Sequence, residues 1–391
     1  MTVRMGEEAT ESPRALPRPW ETVVATPSPP KDEGRRVQDD ERYMQRALEL
    51  ARRPAFASPN PRVGAVVVRG GAVLGEGAHE GPGTPHAEVA ALEGADARGA
   101  TLYVTLEPCN HHARTPPCAP AVVEAGIARV VAATEDPDPR VAGTGLDVLR
   151  GAGVAVEVGV LREPAERLNR AYLHHRRTGR AFVSLKLALT LDGRTTAADG
   201  SSQWITGPEA RRAVHARRLE CDAVMVGAGT VVADDPRLTV RDVPAPRQPL
   251  RVVVDARGRV PADAAALGEG CLVATTAAAP HEVQIAWKEA GAEVLVLPES
   301  DRGVDLTALL DALGERGIVE VFCEGGPRLA SSLVREELAG RLELHYGPVL
   351  TGGGASLEDL GVATMADALR FEVEGTARAG ADLLVTLVRG R

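Results

Sequence analysis

Aromatic residues and net positive charge are both lacking in this chain of 391 residues. Phe, Trp and Tyr together make up 3% of the sequence, which leaves few rings on which nucleic-acid bases could stack. The formal net charge is -9, so the chain lacks the positive potential that attracts a phosphate backbone. Both features argue against a protein that binds nucleic acid.

Long hydrophobic runs and a disulfide pattern are missing as well. No stretch approaches the roughly 20 apolar residues that span a bilayer, and no apolar signal core follows the basic residues of the N-terminus. An odd number of cysteines, spread over a long chain, argues against a disulfide framework. Cys271 and Cys323 lie in apolar runs and are predicted to be unreactive core thiols. We therefore expect a cytoplasmic protein with no membrane partner. The five cysteines are Cys109, Cys118, Cys221, Cys271 and Cys323.

The length predicts two domains, because 391 residues exceed the roughly 250–300 at which one hydrophobic core stops growing. Residues 1–37 are rich in Pro, Glu, Ser and Thr and are predicted to be a disordered extension. Order is expected to begin near Asp39-Asp40, whose carboxylates can cap a helix. A polar stretch with a helix-stopping glycine, Arg176 to Arg180, separates a domain over 38–178 from one over 179–391.

Short apolar strands alternate with helices in both halves, which is typical of layered α/β domains. Residues 161–175 are predicted to form one continuous helix. The last two strands, 342–346 and 383–388, are predicted to be antiparallel. The other predicted strands cover residues 63–68, 72–76, 102–106, 130–133, 154–158, 182–189, 223–226, 250–254, 272–275, 294–297 and 319–323.

The most informative pattern is His86-Ala87-Glu88, followed by Pro108-Cys109 and then Cys118. One imidazole and two thiolates supply three zinc ligands and leave a fourth position for a water, whose pKa zinc lowers to about 7. Glu88 is therefore predicted to move protons near the metal without ligating it. The alternative is a closed structural zinc site with His111 or His112 as fourth ligand, which would leave Glu88 unexplained.

This pattern resembles the cytidine-deaminase superfamily, in which H-x-E precedes P-C-x-x-C. Here, however, eight residues separate the two cysteines. That spacing, residues 105–118 as a whole and Ser58-Pro59-Asn60-Pro61 resemble the deaminase half of the bifunctional riboflavin-biosynthesis deaminase/reductase family. The resemblance implies an N-terminal, cytidine-deaminase-like three-layer domain and a phosphorylated pyrimidine substrate.

Other polar residues of the first half are candidate substrate contacts. Asn60 lies in a proline-bounded loop from which its amide could hold the pyrimidine, although it could instead stabilise a turn. His79 is either a phosphate contact or a surface histidine at a strand end. The family is expected to bind a phosphorylated ribose, and His111, His112 and Arg114 are expected on that side of the site.

Lys186 stands out in the second half because the sequence contains only three lysines. In the strand 182–189 it alternates with Leu185 and Leu187 and so faces the opposite side. This run and residues 190–206 resemble the family's reductase domain, which implies a dihydrofolate-reductase-like fold, NADPH as hydride donor and a catalytic Lys186 that protonates the sugar oxygen. A solvent-facing edge lysine is the competing interpretation.

The nucleotide-binding signal is a glycine turn rather than a Rossmann fingerprint. Residues 227–230 contain Gly-x-Gly without a third glycine, which disfavours a conventional Rossmann site. Strand 319–323, in contrast, leads into Glu324-Gly325-Gly326-Pro327 and a helix. The free main-chain N–H groups at the start of that helix are expected to bind an anion such as the pyrophosphate of NADPH; a plain glycine turn is the alternative. By resemblance, the residues expected to line NADPH are Ala188, Trp204, Thr230, Asp234, Gly326, Pro327, Arg328, Leu329, Ala330, Ser331 and Ser332.

The resemblance also implies a set of contacts to the phosphorylated substrate, for which arginine is well suited. An isolated helix arginine such as Arg218 would otherwise be solvated. In this family a serine usually follows the aspartate of the central strand, whereas here Ala256 follows Asp255, which predicts one missing hydrogen bond to the cofactor. The expected substrate contacts of the second half are Ser202, Arg218, Leu238, Arg241 and Glu324.

The implied chemistry has two steps that use zinc and NADPH as cofactors. A diaminopyrimidinone with a phosphoribosylamino arm is first deaminated, and its ribose is then reduced to a ribityl chain. A nucleoside or tRNA deaminase fused to an unrelated module predicts a shorter cysteine spacing and, for tRNA, a basic face. A second half that serves only oligomerisation would not need Lys186, Glu324 and the glycine turn together. We expect a homo-oligomer.

Overall fold

The computed structural model describes residues 31–54, 56–111 and 116–389. Residues 1–30 of the predicted extension lie outside this part of the chain. The first helix, α1, begins at Lys31 rather than near Asp39. Asp40 does not cap it, because the buried carboxylate accepts hydrogen bonds of 2.7 Å from the Tyr103 hydroxyl and from both terminal nitrogens of Arg129. The predicted helix start is therefore wrong, because Asp40 lies within α1 and its carboxylate bonds to Tyr103 and Arg129 instead of capping the helix.

The first half contains a five-stranded sheet with the strand order β2-β1-β3-β4-β5. β1 runs antiparallel to both β2 and β3, while β3, β4 and β5 are parallel. The tight turn at Gly70-Gly71, with both φ values positive, joins β1 to β2. The strands are β1 (Gly64–Arg69), β2 (Ala72–Ala78), β3 (Thr101–Val104), β4 (Arg129–Ala132) and β5 (Ala155–Val158).

Helices cover both faces of this sheet. Alternate residues of β1 point to opposite sides, so Val67 packs with α2, α3 and α4 whereas Val66 packs with α1 and α5. The result is the three-layer α/β domain expected from the sequence. The helices are α1 (Lys31–Ala51), α2 (Ala87–Leu92), α3 (Cys118–Glu124), α4 (Thr144–Gly151) and α5 (Arg162–Leu168).

The helix predicted over residues 161–175 is in fact two helices, α5 and α6 (Arg170–Thr178), which meet at Asn169. The Asn169 side chain accepts a hydrogen bond from Arg62 N at 2.8 Å and donates one to Arg62 O at 2.9 Å. A side chain that bonds the main chain of another segment competes with a continuous helix. Gly179, at φ 77°, ends α6 before the next sheet begins.

The second half is built on a nine-stranded sheet with the order β10-β9-β8-β7-β13-β6-β14-β16-β15. The strands from β10 to β14 in this order are parallel, and β16 and β15 then add in antiparallel fashion. A separate hairpin is formed by β11 (Glu299–Ser300) and β12 (Gly303–Val304). The strands of the large sheet are β6 (Phe182–Leu189), β7 (Ala223–Gly227), β8 (Leu250–Val254), β9 (Cys271–Thr275), β10 (Glu293–Val296), β13 (Glu320–Cys323), β14 (Ala339–Tyr346), β15 (Phe371–Ala379) and β16 (Asp382–Arg389).

Helices pack on this sheet and complete two further apolar cores. One core lies between β6, β13 and the helices α10 and α11, and the other lies between β7, β8 and the helices α8 and α9. The helices of the second half are α7 (Pro208–Glu220), α8 (Ala228–Asp234), α9 (His281–Glu289), α10 (Leu306–Glu315) and α11 (Pro327–Arg335).

Two features of the second sheet differ from the sequence prediction. β14 is antiparallel to β16, as expected, but parallel to its other neighbour β6. β15 was not predicted, because this edge strand carries alternating Glu residues and Gly375 and is largely exposed; β propensity is a weak signal in such a strand.

The part of the chain that the structure describes contains no helix long and apolar enough to cross a membrane. All five cysteines are buried and unpaired. Burial raises the pKa of Cys271 to about 11 and that of Cys323 to about 12. Both thiols lie in apolar cores, as expected, and a raised pKa disfavours the reactive thiolate.

Candidate active sites

The three predicted zinc ligands lie together where the loop after β3 meets the starts of α2 and α3. His86 immediately precedes α2, Cys118 opens α3, and Cys109 lies in the loop after β3. His86 Nδ1 is 3.1 Å from Cys118 Sγ and 3.5 Å from Cys109 Sγ. Tetrahedral zinc with its usual bond lengths would place such nitrogen and sulfur ligands roughly 3.6 Å apart. The donor set and its spacing therefore fit zinc.

The two thiols share a hydrogen bond. The Cys118 thiol donates it, which together with His86 lowers the pKa of Cys109 to about 4, whereas the same bond and burial raise the pKa of Cys118. The thiolate is the form that ligates zinc. Among the described residues, His86, Cys109 and Cys118 form the one His/Cys/Asp/Glu group able to hold a metal ion.

Glu88 lies in the first turn of α2, beside the three ligands, and is 3% exposed. Burial raises the pKa of Glu88 to about 7. A carboxyl group with that pKa can both release and accept a proton near neutral pH. The ligand atoms of His86, Cys109 and Cys118 lie within 4.8 Å of one another without Glu88, and its role as a proton shuttle that does not ligate zinc stays a prediction.

Asn60 and His79 form a hydrogen-bonded pair beside the zinc ligands. Asn60 Nδ2 lies 2.9 Å from His79 Nε2, and His79 Nδ1 lies 3.2 Å from Pro85 O. This arrangement is satisfied when the histidine donates to Pro85 and accepts from the amide. Burial lowers the pKa of His79, which favours this neutral form. The ring stands edge-on to His86 with centroids 5.4 Å apart.

The interpretation of His79 as a surface histidine is wrong, because the residue is 3% exposed. Its contact with a phosphate stays a prediction, and the ring is placed to orient the Asn60 amide. His111 Nδ1 is buried and has no hydrogen-bond partner among the described residues. The expectations for His112 and Arg114 fall outside the described residues.

Glu107 is a buried residue of this site that the sequence did not reveal. Its Oε2 accepts hydrogen bonds from the main-chain N–H groups of Asp136 and Gly143, at 3.2 and 3.0 Å. Its Oε1 accepts from those of Gly145 and Leu146, at 3.1 and 3.4 Å. The carboxylate thereby occupies the N-terminus of α4, where negative charge is favourable. Glu107 fixes the chain two residues before a zinc ligand.

Gly145 allows the start of α4 to pack closely against the main chain of Pro108. A Cβ atom added at Gly145 would lie 1.8 Å from the carbonyl oxygen of Pro108, so no other residue type fits without displacing the Pro108-Cys109 segment.

The second site is a cavity of about 1140 Å³ at the carboxyl ends of β7, β8 and β13. A cavity of this size can hold a dinucleotide and a small substrate together. It brings together the candidate residues Lys186, Ala188, Ser202, Trp204, Arg218, Thr230, Asp234, Leu238, Arg241, Glu324, Gly326, Pro327, Arg328, Leu329 and Ser332.

Two residues expected to line NADPH do not lie in this cavity wall. Ala330 and Ser331 are completely buried, and the Ser331 hydroxyl donates to Pro327 O while accepting from Glu358 N, both at 2.7 Å. The prediction that Ala330 and Ser331 line NADPH is therefore wrong. Residues three positions apart share one face of a helix, so Leu329 and Ser332 face the cavity while the two residues between them point elsewhere.

The glycine turn before α11 has the geometry of an anion cradle. Gly325 and Gly326 have φ values of 82° and 88°, which favour glycine, and Pro327 occupies the first turn of the helix. A Cβ atom at Gly326 would approach the Thr230 hydroxyl to 2.8 Å. No side chain caps this helix, so its first N–H groups are free for a pyrophosphate. These residues fit NADPH.

Lys186 faces this cavity while its neighbours Leu185 and Leu187 pack into the core, which matches the predicted alternation. Burial lowers the pKa of Lys186, the Arg218 charge adds to that effect, and Glu324 opposes it. A lysine of lowered pKa gives up its proton more readily.

Arg218 is paired rather than free. Its Nη2 donates to Glu324 Oε2 at 2.9 Å, its Nε donates to Glu324 Oε1, and its Nη1 donates to Thr239 O at 2.7 Å. The guanidinium predicted to hold the phosphorylated substrate is thus paired with a carboxylate and a main-chain carbonyl, and its contact with substrate stays a prediction. Arg241 is exposed at the same cavity.

Further residues of the cavity wall were not identified from the sequence. Arg211 lies over the exposed Trp204 ring, 4.3 Å from its centroid, and His215 Nδ1 accepts a bond of 3.3 Å from Arg241 N. The Asp255 carboxylate accepts bonds from four main-chain N–H groups of residues 257–260. The neighbouring Ala256 presents a methyl group to the cavity.

Two protein-family models match the chain in agreement with these two sites. Residues 37–134 match the cytidine and deoxycytidylate deaminase zinc-binding region, and residues 181–385 match the RibD C-terminal domain.

Curated relatives match almost the whole chain. The riboflavin biosynthesis protein RibD of Aquifex aeolicus is 42% identical over 354 residues, which is 90% of this chain and 98% of that protein. The protein of the same name from Escherichia coli is 43% identical over 367 residues, 89% of this chain and 99% of that protein.

Solved structures show the same relationship. Form 1 of Acinetobacter baumannii RibD has a TM-score of 0.81 and 38% identity, covering 91% of this chain and all of the other. The Thermotoga maritima diaminohydroxyphosphoribosylaminopyrimidine deaminase/5-amino-6-(5-phosphoribosylamino)uracil reductase has a TM-score of 0.77 and 36% identity with the same coverage.

Proposed function

The chain belongs to the RibD family of riboflavin-biosynthesis proteins, and from this premise we propose which of its residues carry out the two reactions. It is a bifunctional enzyme, a zinc-dependent deaminase and an NADPH-dependent reductase. The deaminase acts on diaminohydroxyphosphoribosylaminopyrimidine, and the reductase converts the ribosyl arm of 5-amino-6-(5-phosphoribosylamino)uracil to a ribityl arm.

In the deaminase half, His86, Cys109 and Cys118 hold the zinc ion. When bound, zinc supplies an activated water as nucleophile. Glu88 takes a proton from the attacking water and gives it to the ring nitrogen of the pyrimidine, and then passes the proton of the newly formed hydroxyl group to the departing amine. Its raised pKa of about 7 supports these transfers. The Asn60 amide, oriented by His79 at 2.9 Å, holds the polar edge of the pyrimidine.

In the reductase half, the first turn of α11 and the Gly325-Gly326 turn hold the pyrophosphate of NADPH. When bound, NADPH supplies the hydride. Lys186 gives a proton to the sugar oxygen as the carbon beside it is reduced, and its lowered pKa supports this direction of transfer. Glu324 contacts the substrate and is held in place by Arg218, while Arg241 supplies the positive charge for the substrate phosphate.

The observation that carries the assignment is that one chain contains both complete sets of groups: three zinc ligands with a buried carboxyl, and a cavity with a lysine, a paired glutamate and an anion cradle. A second half that served only oligomerisation would not need such a cavity.

A single assay tests the proposal. The purified protein with zinc, the phosphorylated diaminopyrimidinone and NADPH should show a change of pyrimidine absorbance followed by oxidation of NADPH. Failure to oxidise NADPH when the deaminated intermediate is supplied directly would refute the reductase reaction proposed for the second cavity.

We further propose a cytoplasmic homo-oligomer. Five unpaired cysteines support a reducing compartment. Exposed apolar side chains on β15, on β16 and in the connection between β14 and β15 support contact with a second copy; they include Val373, Leu383, Leu350 and Met365. Sedimentation of the purified chain tests the oligomeric state, and cell fractionation tests the location.

A further inference from the structure

The loop 56–62, which carries Asn60, is held by residues from both halves of the chain. Its C-terminal end is fixed within the first half, where Asn169 makes two hydrogen bonds to the main chain of Arg62. Arg176 of α6 donates to Pro59 O at 3.2 Å. These contacts leave the first part of the loop, Phe56 to Ser58, to be held by something else.

Arg247 of the second half covers that part of the loop. Its guanidinium carbon lies 3.3 Å from the centroid of the Phe56 ring. The guanidinium is itself fixed, because its Nη2 donates to Leu219 O at 2.8 Å and to Cys221 O. These carbonyls lie at the C-terminal end of α7, in the reductase half. A cation held against an aromatic face is attractive and restricts the ring.

Two further residues of the reductase half lie against the same loop. Asp222 accepts hydrogen bonds from Val319 N at 3.0 Å and Glu320 N at 2.9 Å. The buried Ser58 hydroxyl faces this carboxylate without forming a short hydrogen bond. The Arg62 guanidinium interacts with Glu220.

The position of Phe56 and Ala57 bears directly on Asn60. The main-chain N–H of Asn60 donates to Ala57 O at 3.0 Å, so the two ends of this turn move together. The Asn60 side chain in turn meets His79 at 2.9 Å beside the zinc ligands. A displacement of Phe56 therefore also moves the side-chain amide of Asn60, which is proposed to bind the pyrimidine.

We propose that Arg247, in the reductase half, is a positioning residue for deamination: by stacking on Phe56 it holds the loop that presents Asn60 to the pyrimidine. This inference rests on the proposed role of Asn60. It makes the deaminase site dependent on the reductase half for substrate binding, while its zinc ligands and Glu88 lie entirely in the first half.

The test is a steady-state comparison of full-length, zinc-loaded variants. Phe56→Leu removes the aromatic face but leaves the carbonyl contacts of Arg247 intact. It should raise the deaminase KM about tenfold, the scale of a strong cation–π contact, with kcat changed much less. Phe56→Tyr keeps the ring and should restore the KM. Zinc content and reduction of the supplied intermediate should not change.

A double-mutant cycle identifies Arg247 as the partner. Arg247→Met should also raise the deaminase KM, and combining it with Phe56→Leu should add little further effect, since both changes remove one interaction. Arg52→Met, which removes an exposed arginine near the loop, is the matched control and should leave the KM unchanged.

Three outcomes overturn the proposal, and they are distinguishable. If Asn60→Ala raises the deaminase KM but Phe56→Leu does not, the reductase half has no positioning role although Asn60 binds substrate. If Asn60→Ala leaves the KM unchanged, the proposed function of Asn60 fails as well. Equal losses of both activities in Phe56→Leu, with a lower unfolding midpoint and an unchanged deaminase KM, would indicate a purely structural contact and also overturn it.

Discussion

Arg218 and Glu324 are joined by a two-point ion pair in the wall of the reductase cavity. The Nη2 to Oε2 distance is 2.9 Å, and the second bond runs from Nε to Oε1. Burial alone would raise the pKa of Glu324, but the charge and hydrogen bonds of Arg218, together with the charges of Lys186 and His215, lower that pKa below its usual value. The glutamate is therefore ionised near Lys186, and Arg218 makes the largest contribution to that charge state.

The first prediction concerns this pair. Arg218→Leu leaves a buried carboxylate without its partner, which should lower the free energy of unfolding by about 3 kcal/mol and abolish reduction of the supplied intermediate. Deamination should persist. Arg212→Leu, on the exposed side of the same helix, is the control. Full reductase turnover in Arg218→Leu would contradict the role given to the pair.

The second prediction concerns Glu88. Glu88→Gln keeps the size of the side chain but cannot exchange protons, so the deamination rate should fall by roughly 10²–10⁴. Zinc content, measured by elemental analysis, and NADPH oxidation with the supplied intermediate should be unchanged. Glu93→Gln, an exposed substitution at the end of α2, should have no effect. Unchanged deamination in Glu88→Gln would refute the proton shuttle.

The third prediction compares two glycines of α4. A Cβ at Gly145 would meet Pro108 O at 1.8 Å, whereas nothing lies within 4 Å of a Cβ at Gly151. Gly145→Ala should displace Cys109 and weaken zinc binding, measured by competition with a chelator. Gly151→Ala should bind zinc normally and unfold with a free energy higher by about 0.5–1 kcal/mol. Equal zinc affinities would show that Pro108 tolerates the displacement.

The fourth prediction concerns the cofactor. Ala256→Ser places a hydroxyl where the family usually has one, and one added hydrogen bond of about 0.5–1.5 kcal/mol should tighten NADPH binding by roughly two- to tenfold. Fluorescence titration in the absence of substrate measures this. Ala262→Ser, at an exposed position outside the cavity wall, should leave the NADPH affinity unchanged, and a weaker affinity in Ala256→Ser would count against the predicted hydrogen bond.

The fifth prediction concerns acid stability. Burial, with a smaller effect from the Lys186 charge, lowers the pKa of His345 to about 4, while Glu324 acts in the opposite direction. The unfolded chain takes up this proton near pH 6.5, so the free energy of unfolding should fall as the pH drops from about 6.5 to about 4, by about 3 kcal/mol in total.

Urea unfolding at several pH values tests this. His345→Gln should reduce the slope of stability against pH in that window. Some slope should remain, because burial also lowers the pKa of His79, His174 and His215. The exposed His281→Gln is the control. An identical slope in His345→Gln would show that His345 is not neutral in the folded protein.

The residues that sequence alone could identify share one property: their chemistry is encoded in short spacings. His86, Glu88, Cys109 and Cys118 form a compact signature, and Lys186 stands out because its strand alternates. The α/β class followed from periodicity in the same way. Such patterns can be recognised in the sequence without knowledge of the tertiary fold.

The remaining features depend on contacts between distant segments. The bond between Asn60 and His79 requires a loop and the end of β2 to meet, and the pairing of Arg218 with Glu324 requires α7 to lie against β13. Asn169 breaks a helix only because Arg62 is beside it. No local sequence pattern predicts these three contacts. The burial of Ala330 and Ser331 likewise depends on the rotation of α11 about its axis.

The hydrogen bonds around Glu107 affect how this protein can diverge. All four partners of its carboxylate are main-chain N–H groups, so replacing the side chains of the loop before α4 does not remove them unless proline is introduced. The loop is nevertheless constrained by its own contacts, because Gly143 has a φ of 82° and the buried Asp136 and Asp138 accept hydrogen bonds from Asp138 N and Arg140 N. The position of Cys109 thus depends on the backbone path of a segment that follows it by more than 25 residues, so a change of that path, rather than a change in which atoms ligate zinc, is enough to disturb the site.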